Sequence, residues 1–189
     1  MKSTISDIEI IESVKRGNQA DFSLLVDRYK DRGYSLLKRM LRNDFDAQEV
    51  LQDCFLKVYK SLSSFRQDSK FSTWFYRIVY NSALSFLASR RRKNEKELSS
   101  LEDITELSVF DDQVYAESEN ISQFINKMIE KLPEKYAAVI NMFYIDEMSL
   151  DEISKITGLS IVNTKVILHR SRNALRELMI KHNFSEEFL

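Results

Sequence analysis

Residues that support disulfide bonds, metal sites or tight turns are scarce in this chain. Its 189 residues include one cysteine, two histidines, one proline and three glycines. A lone thiol, Cys54, excludes an internal disulfide framework, and with His169 and His182 it makes no metal site. So few glycines and prolines, together with few alternating apolar runs, predict an all-helical fold.

Long apolar runs and an excess of one charge are also missing. No stretch is apolar enough to span a membrane, and MKSTISDIEIIESVKRG carries acids where a signal peptide needs an apolar block. We therefore expect a cytoplasmic protein without membrane insertion. The 28 basic and 29 acidic side chains leave a formal charge of −1, whereas a free-standing nucleic-acid binder usually carries clear positive charge. Either the protein does not bind nucleic acid, or its positive charge is local and a partner contributes.

Motifs of catalysis and of cofactor binding are not found. The sequence has no nucleotide-binding loop, no metal-ligand cluster and no nucleophile–base pair. We expect neither enzymatic activity nor a cofactor.

The apolar spacing predicts two small helical domains. Helices are expected near 7–31, 32–42, 46–59 and 72–92, with a serine-rich loop over 60–70. In DAQEVLQDCFLKVY, the buried stripe includes Ala47, Val50, Cys54 and Val58, so Cys54 is expected to be a core residue. Residues 95–120 hold nine acids and one lysine and lack helical apolar spacing. We therefore predict an acidic linker over 95–120 between domains at 1–94 and 121–189.

The segment SLDEISKITGLSIVNTKVILHRSRNALREL, residues 149–178, has the punctuation of a helix-turn-helix. Ser149 and Glu152 form a predicted capping box, Gly158 ends the first helix, and Ser160 caps the second. An ordinary helical hairpin is the alternative interpretation. The outward face of the second helix holds polar and apolar residues, flanked by Lys165, His169 and Arg172. Its members are Asn163, Val166, Ile167 and Arg170.

The segment KFSTWFYRIVYN, residues 70–81, is dense in aromatic side chains. On a helical wheel of residues 73–92 one side is core, and the outward side is predicted to hold Thr73, Tyr76, Arg77, Tyr80, Asn81 and Leu84. Phenols near positive charge can stack on unpaired bases, and the basic run RRRK follows at 90–93. The alternative is that the tyrosines lie at the surface of a small bundle.

The chain resembles the bacterial RNA polymerase sigma factors of the extracytoplasmic-function (ECF) group of the sigma-70 family. DAQEVLQDCFLKVY is similar to the polymerase-binding helix of that family, and SFRQDSKFSTWFYRIVYNSALSFL to its promoter-melting segment. LPEKYAAVINMFYIDEMSLDEISKITGLS followed by LHRSRNALREL is similar to its reader of the upstream promoter element. Because sigma factors bind promoters as part of the polymerase holoenzyme, the resemblance accounts for the low positive charge of the free chain.

The resemblance implies a role for particular residues. Core polymerase, through the coiled coil of its beta-prime subunit, would contact Glu49, Gln52, Asp53 and Leu56. A flipped base of the downstream promoter element would be held by Phe65, Arg66, Asp68, Ser69, Tyr76 and Asn81. Phosphate contacts would come from Arg77, Arg90, Arg91 and Arg92. The upstream element would be read by Asn163, Lys165, Val166, His169 and Arg170.

Further partners implied are the beta flap of polymerase, promoter DNA and an anti-sigma factor. Where relatives often show GTVKSRLHRAR, this chain has VNTKVILHRSR. Because Val166 and Ile167 depart from the family pattern, the base sequence of the upstream element is left open. A different function also stays open at this point. A helix-turn-helix regulator acting without polymerase would have no need of the Glu49–Leu56 face.

The predicted linker can be tested by limited proteolysis of the full chain. Because its acids outnumber its apolar anchors, we expect the first cuts within 95–120, leaving folded fragments near 1–94 and 121–189. Mass spectrometry of the early products identifies the sites. Early cuts inside either domain, with 95–120 intact, would contradict the boundaries.

Overall fold

The computed structural model describes residues 5–98 and 121–182, and within these ranges the fold is all-helical, as predicted. The regular elements in chain order are α1 Asp7–Lys15, α2 Phe22–Leu41, α3 Asp44–Ser61, α4 Phe71–Leu98, α5 Ile121–Lys131, α6 Glu134–Ile140, α7 Leu150–Thr157 and α8 Ile161–Lys181. Short 3₁₀ turns occupy Gln19–Asp21 and Leu62–Ser64, and a π-helical turn, Asn141–Ile145, extends α6.

The first two helices differ from the predicted ones. The predicted break near residue 31 is wrong, because α2 runs unbroken from Phe22 to Leu41. The actual break follows α1 at Gly17, whose φ of +104° suits glycine. Gly33 lies inside α2 for a different reason. A Cβ built there would lie 2.9 Å from Leu51 Cδ1 and 3.0 Å from Phe75 Cζ. Glycine here permits close packing of α3 and α4.

Helices α3 and α4 complete an N-terminal half around an aromatic core. The Asn43 side chain accepts a hydrogen bond from the Asp46 amide and caps α3. The buried stripe of α3 is confirmed, since Ala47, Val50, Cys54 and Val58 are all buried. Against it lies the Phe75 ring, 5.2 Å from Phe55 and 5.3 Å from Tyr29. Aromatic pairs at such distances add to the stabilisation from burial.

The C-terminal half contains the predicted helix-turn-helix. Ser149 and Glu152 form the capping box of α7, Gly158 ends that helix at φ +73°, and the Ser160 hydroxyl accepts from the Asn163 amide to cap α8. Ile153 and Ile156 of α7 are buried in the core, and α7 packs on both α4 and α8. Local sequence signals were therefore sufficient for this motif.

The two halves pack directly against each other, which the sequence did not indicate. Helix α4 lies on α7, α2 lies on α6, and one apolar core is continuous from Ile10 to Leu168. Arg42 donates across the boundary to the Leu132 carbonyl. The domain limits stay a prediction. Residues 95–98 form the last turn of α4, and the rest of the predicted linker lies outside the described residues.

The close packing at Gly33 generates a stability prediction. Gly33→Ala places a methyl against the buried Phe75 ring, and we expect a loss of about 1–3 kcal/mol in the free energy of unfolding, partly offset by about 1 kcal/mol from better helix propensity. Chemical denaturation followed by circular dichroism measures the free energy of unfolding. Asp31→Ala, at an exposed position of the same helix, is the control. Equal or greater stability of Gly33→Ala would contradict the packing argument.

Candidate functional site

The predicted polymerase-binding residues share one exposed face of α3. Glu49, Gln52, Asp53 and Leu56 are all solvent-exposed, and Leu56 retains 56% of its accessible surface. The sequence analysis missed two aromatic residues on this face. Phe45, at 74% exposure, and Tyr59 continue the stripe 45, 49, 52, 56, 59, whose steps of four and three residues keep one helical face. We call these five positions the α3 stripe.

A groove of about 270 Å³, lined mainly by residues with polar side chains, lies between α3 and α4 beside the α3 stripe. The groove is lined by Lys57, Ser61, Ile78, Asn81, Ser82 and Ser85. The Lys57 ammonium donates to the Ser82 hydroxyl at 2.9 Å. An ammonium, an amide and hydroxyls around a small apolar floor can contact a phosphate and the edge of a base. Sequence reasoning found Asn81, but the partners from α3 become evident through packing.

The loop before α4 is fixed at its base by aromatic packing. Phe65 is buried, with its ring 5.0 Å from Trp74 and 5.9 Å from Phe71. The Lys15 ammonium donates to the Phe65 carbonyl at 3.2 Å, which ties the loop to α1. Arg66 and Asp68 are exposed, and Ser69 is half-buried. Phe65 thus supports the loop, while the charged predicted residues are open to solvent.

The prediction that α4 exposes Thr73, Tyr76 and Tyr80 is wrong for this structure. Thr73 and Tyr80 are each 4% exposed, and Tyr76 is fully buried. The physical reason is the C-terminal half, which packs on α4 through α7 and brings Asp146, at the end of the π-helical turn, close to Tyr76. Leu84, also predicted to face outward, is half-buried and packs on the core. Burial and the nearby Asp146 carboxylate raise the pKa of the Tyr76 phenol. Arg77 and Asn81, on the next part of the helix surface, are exposed as expected.

The basic segment at the end of α4 is exposed and pairs with nearby groups. Arg90 lies 3.1 Å from Asp46, and Arg91 lies 3.1 Å from Glu134. The Arg92 guanidinium donates to the Ala88 carbonyl at 3.2 Å. Surface ion pairs of this kind contribute at most about 1 kcal/mol. These guanidinium groups can therefore exchange their present partners for phosphates.

The second helix of the helix-turn-helix, α8, presents the predicted reading residues to solvent. Asn163, Lys165, Val166, His169 and Arg170 are all exposed. Val162, at 69% exposure, was missed because it lies in the first turn, beside the cap.

Two neighbours on α8 differ from the outward arrangement expected. Ile167 is half-buried and packs on the core, because it shares the stripe of Thr164, Leu168 and Ser171. Its predicted outward orientation is wrong. The Arg172 guanidinium lies over the Phe143 and Tyr144 rings at 5.6 and 5.4 Å. Arg172 thus makes cation–π contacts within the fold.

Other kinds of site receive no support within residues 5–98 and 121–182. No group of three or more potential metal-ligating side chains occurs there, and none of these helices is long and apolar enough to cross a membrane. Cys54 is buried, as predicted, and burial raises the pKa of its thiol, which keeps it unreactive.

The exposed surfaces of α3 and α8 define a class: a helical DNA-binding protein with a helix-turn-helix and a second, partner-binding half. The sequence profile of the family described as Sigma-70 region 2 matches residues 25–93, and that of Sigma-70 region 4 matches residues 125–175. The ECF RNA polymerase sigma factor SigW of Bacillus subtilis is 38% identical over 174 residues, covering 88% of this chain and 93% of SigW. The ECF RNA polymerase sigma-E factor of Escherichia coli K12 is 32% identical, covering 93% and 95%. The chain belongs to the ECF group of the sigma-70 family.

Solved structures show the same fold at lower identity. Sigma factor RpoE, in complex with the anti-sigma factor NepR from Bartonella quintana, superimposes with a TM-score of 0.67 at 19% identity, covering 84% of this chain and 96% of RpoE. CnrH, in complex with the cytosolic domain of CnrY, gives a TM-score of 0.63 at 20% identity, covering 91% and 96%.

The protein is thus an RNA polymerase sigma factor, a member of a family of transcription initiation factors. The alternative of a regulator that acts without polymerase is not favoured. Region 2 and region 4 both match, and the curated relatives align along both halves of the chain.

Proposed function

We propose that the α3 stripe, with Asp53 beside it, is the surface that docks on core RNA polymerase. The observation that carries this proposal is the exposure of Leu56 and Phe45 next to Glu49 and Asp53 on one helical face. Exposed apolar anchors rimmed by charge are typical of protein interfaces. Acidic groups fit a basic partner surface, such as a coiled coil of the beta-prime subunit, and they favour rapid encounter with it.

The groove between α3 and α4 is proposed to take an unpaired base of the downstream promoter element. Asn81 offers a donor and an acceptor to the base edge, and Lys57 offers a positive charge to the adjoining phosphate. Arg66, Asp68 and Ser69 of the neighbouring loop complete the proposed pocket, with Phe65 holding the loop in place. Arg77 and the basic segment 90–92 would contact phosphates. Extruding a base costs a few kcal/mol, which a fitted pocket can recover.

Helix α8 is proposed to read the upstream promoter element in the major groove. Val166 is an exposed apolar residue flanked by Lys165 and Arg170. An apolar side chain can pack on the methyl group of thymine, whereas lysine or arginine can contact guanine or phosphate. Asn163 and His169 lie on the same exposed side and are proposed as further contacts.

We propose that the protein acts in the cytoplasm and has no catalytic activity or cofactor of its own. The protein would give polymerase its specificity for particular promoters. The beta flap of polymerase is a proposed contact of the C-terminal half. An anti-sigma factor is proposed as a further partner, as in the solved complex of RpoE with the anti-sigma factor NepR. Run-off transcription with core polymerase on a promoter library tests the function as a whole. Absence of any transcript that depends on this chain would contradict it.

The first prediction concerns polymerase docking. Reversing two charges on the docking face, in Glu49→Lys/Asp53→Lys, should lower the affinity for core polymerase by about tenfold or more, equivalent to about 1.4 kcal/mol. Competition binding against a labelled sigma factor measures the affinity, and circular dichroism checks that the helicity is unchanged.

A matched control makes the same charge change elsewhere. Asp31→Lys/Glu177→Lys alters exposed acids on α2 and α8, and its affinity for core polymerase should stay close to that of the unaltered chain. Equal affinities of both variants would identify the α3 stripe as ordinary solvated surface.

The second prediction concerns the upstream element. Val166→Ser should relax the preference at one base pair by about 1 kcal/mol, because a hydroxymethyl group packs poorly on thymine methyl. Arg170→Ala should weaken binding more evenly across sequences if it contacts phosphate. Promoter selection with the holoenzyme measures both effects.

Replacing thymine by uracil in the upstream element provides the control, because it removes the methyl group alone. The unaltered protein should lose transcription from the uracil template, and Val166→Ser should lose less. Equal transcription from both templates, together with an unchanged base preference of Val166→Ser, would contradict the methyl contact and assign Val166 to a protein interface.

A further inference from the structure

A second groove, of about 480 Å³, lies between α2 of the N-terminal half and α5 of the C-terminal half. We call it the α2–α5 groove. Its volume falls in the range of about 300–1,000 Å³ that is usual for small-molecule sites. None of the residues proposed to contact polymerase or promoter DNA lines it. Its walls include three cations, two amides and one acid, namely Lys38, Arg39, Lys127, Gln123, Asn126 and Glu130.

Arg39 is a buried cation whose hydrogen-bond acceptors are neutral. It is 9% exposed. Its Nε donates to Asn141 Oδ1 at 2.5 Å, and its terminal nitrogens donate to Asn126 Oδ1 at 3.2 and 3.1 Å. Within residues 5–98 and 121–182, no carboxylate forms an ion pair with this guanidinium. Burial lowers the pKa of Arg39, and the more distant carboxylates of Glu130 and Asp146 offset that effect only in part.

A buried charge ordinarily has a partner of opposite charge, because its desolvation is otherwise uncompensated. A guanidinium carries five N–H donors in a planar fork. Three of them are used by the bonds to Asn141 and Asn126, so two can still donate. The Ser35 hydroxyl donates to the same Asn141 oxygen at 3.2 Å, which helps to fix the position of the acceptor. Phosphate oxygens match the geometry of such a fork.

Further donors come from both walls of the α2–α5 groove. Lys38 of α2 retains 42% of its side-chain surface and pairs with Asp44 at 3.0 Å. Such a pair is weak at a surface, so the ammonium can exchange Asp44 for a ligand. Helix α5 adds the ammonium of Lys127 and the amide of Gln123, both exposed. Glu130 opposes an anion, but the three cations outweigh it.

We propose that the α2–α5 groove binds a small phosphorylated compound, whose phosphate oxygens accept hydrogen bonds from Arg39, Lys38 and Lys127. The ligand spans both halves of the chain, so the site is complete only when α2 and α5 are packed together. Binding therefore stabilises the folded chain by mass action. Polymerase docking and promoter reading are proposed for other residues, so failure of either would leave this site unaffected.

The first test measures binding to the full chain with three probes, namely inorganic phosphate, pyrophosphate and adenosine diphosphate. Each is titrated calorimetrically without divalent metal, at an ionic strength held constant with sodium chloride. We expect one site with a Kd of about 1 mM or lower for pyrophosphate. At ten times that concentration the melting temperature should rise by about 3 °C or more.

The three probes also distinguish the sources of the phosphate chemistry. Equal affinities for pyrophosphate and adenosine diphosphate indicate that phosphate groups alone are recognised. Tighter binding of adenosine diphosphate indicates a nucleotide. Absence of saturable binding by all three probes overturns the proposal.

The second test compares two lysines of α2. Lys38→Gln should weaken pyrophosphate binding about fivefold or more, because it removes a charged donor. Lys30→Gln is the matched control, since Lys30 also pairs with one aspartate, Asp27, but does not line the groove. Its affinity should stay within about twofold of the unaltered chain. Equal affinities of the two variants overturn the proposal and assign any binding to general surface charge.

The third test expects a gain, which damage to the fold would not produce. Glu130→Gln removes the acid from the α2–α5 groove and should tighten pyrophosphate binding about threefold or more. Glu177→Gln removes an exposed acid of α8 as the control and should leave the affinity unchanged. No gain with Glu130→Gln, or the same gain with Glu177→Gln, overturns the proposal.

The buried guanidinium is tested by Arg39→Met, which keeps an unbranched side chain and removes the charge. The variant should lose tenfold or more of its affinity for pyrophosphate, and its melting temperature should no longer respond to the probe. Circular dichroism checks the fold. A folded Arg39→Met that binds pyrophosphate as the unaltered chain does overturns the proposal. If the variant does not fold, the Lys38 and Glu130 comparisons decide.

Discussion

The burial of α4 on both of its sides is the constraint on which the rest of the structure depends. Its inner side carries Phe75, which packs on Tyr29 and Phe55 and approaches the helix axis of α2 at Gly33. Its outer side carries the tyrosines that meet the C-terminal half. The orientation of the helix-turn-helix relative to the N-terminal half follows from two contacts, that of α4 with α7 and that of α2 with α6.

The two sides of α4 differ in the chemistry of their surroundings. The inner side is a closely packed aromatic core, which stabilises the fold of the N-terminal half through burial and ring contacts. The outer contact is supported by Arg39, Asn141 and Asp146, whose polar groups are costly to bury, and burial raises the pKa of the Asp146 carboxyl. The contact between the halves thus combines a shared apolar core with a few buried polar groups.

Charge in this sigma factor is local rather than global. The formal charge of −1 combines an acidic face on α3 with basic groups at the end of α4 and on α8. Such a distribution gives the free chain little general affinity for DNA phosphates, because phosphate neutralisation scales with the number of cations in contact. It suits the proposed arrangement, in which the acidic face would dock on polymerase and the basic groups would reach DNA as part of the holoenzyme.

The sequence by itself determined the all-helical fold class, the capping box at Ser149 and Glu152, the left-handed turn at Gly158 and the buried stripe of α3. These features depend on residues within one or two helical turns of each other, so their signals are local. Tertiary structure decided what covers Tyr76 and Tyr80, why Ile167 packs inward, and which residues of α3 join Asn81 in one groove. Those outcomes depend on contacts such as Arg39 to Asn141, which are 102 residues apart in sequence. A helical wheel shows that α4 has two faces, but the packing of another half of the chain decides which of them meets water.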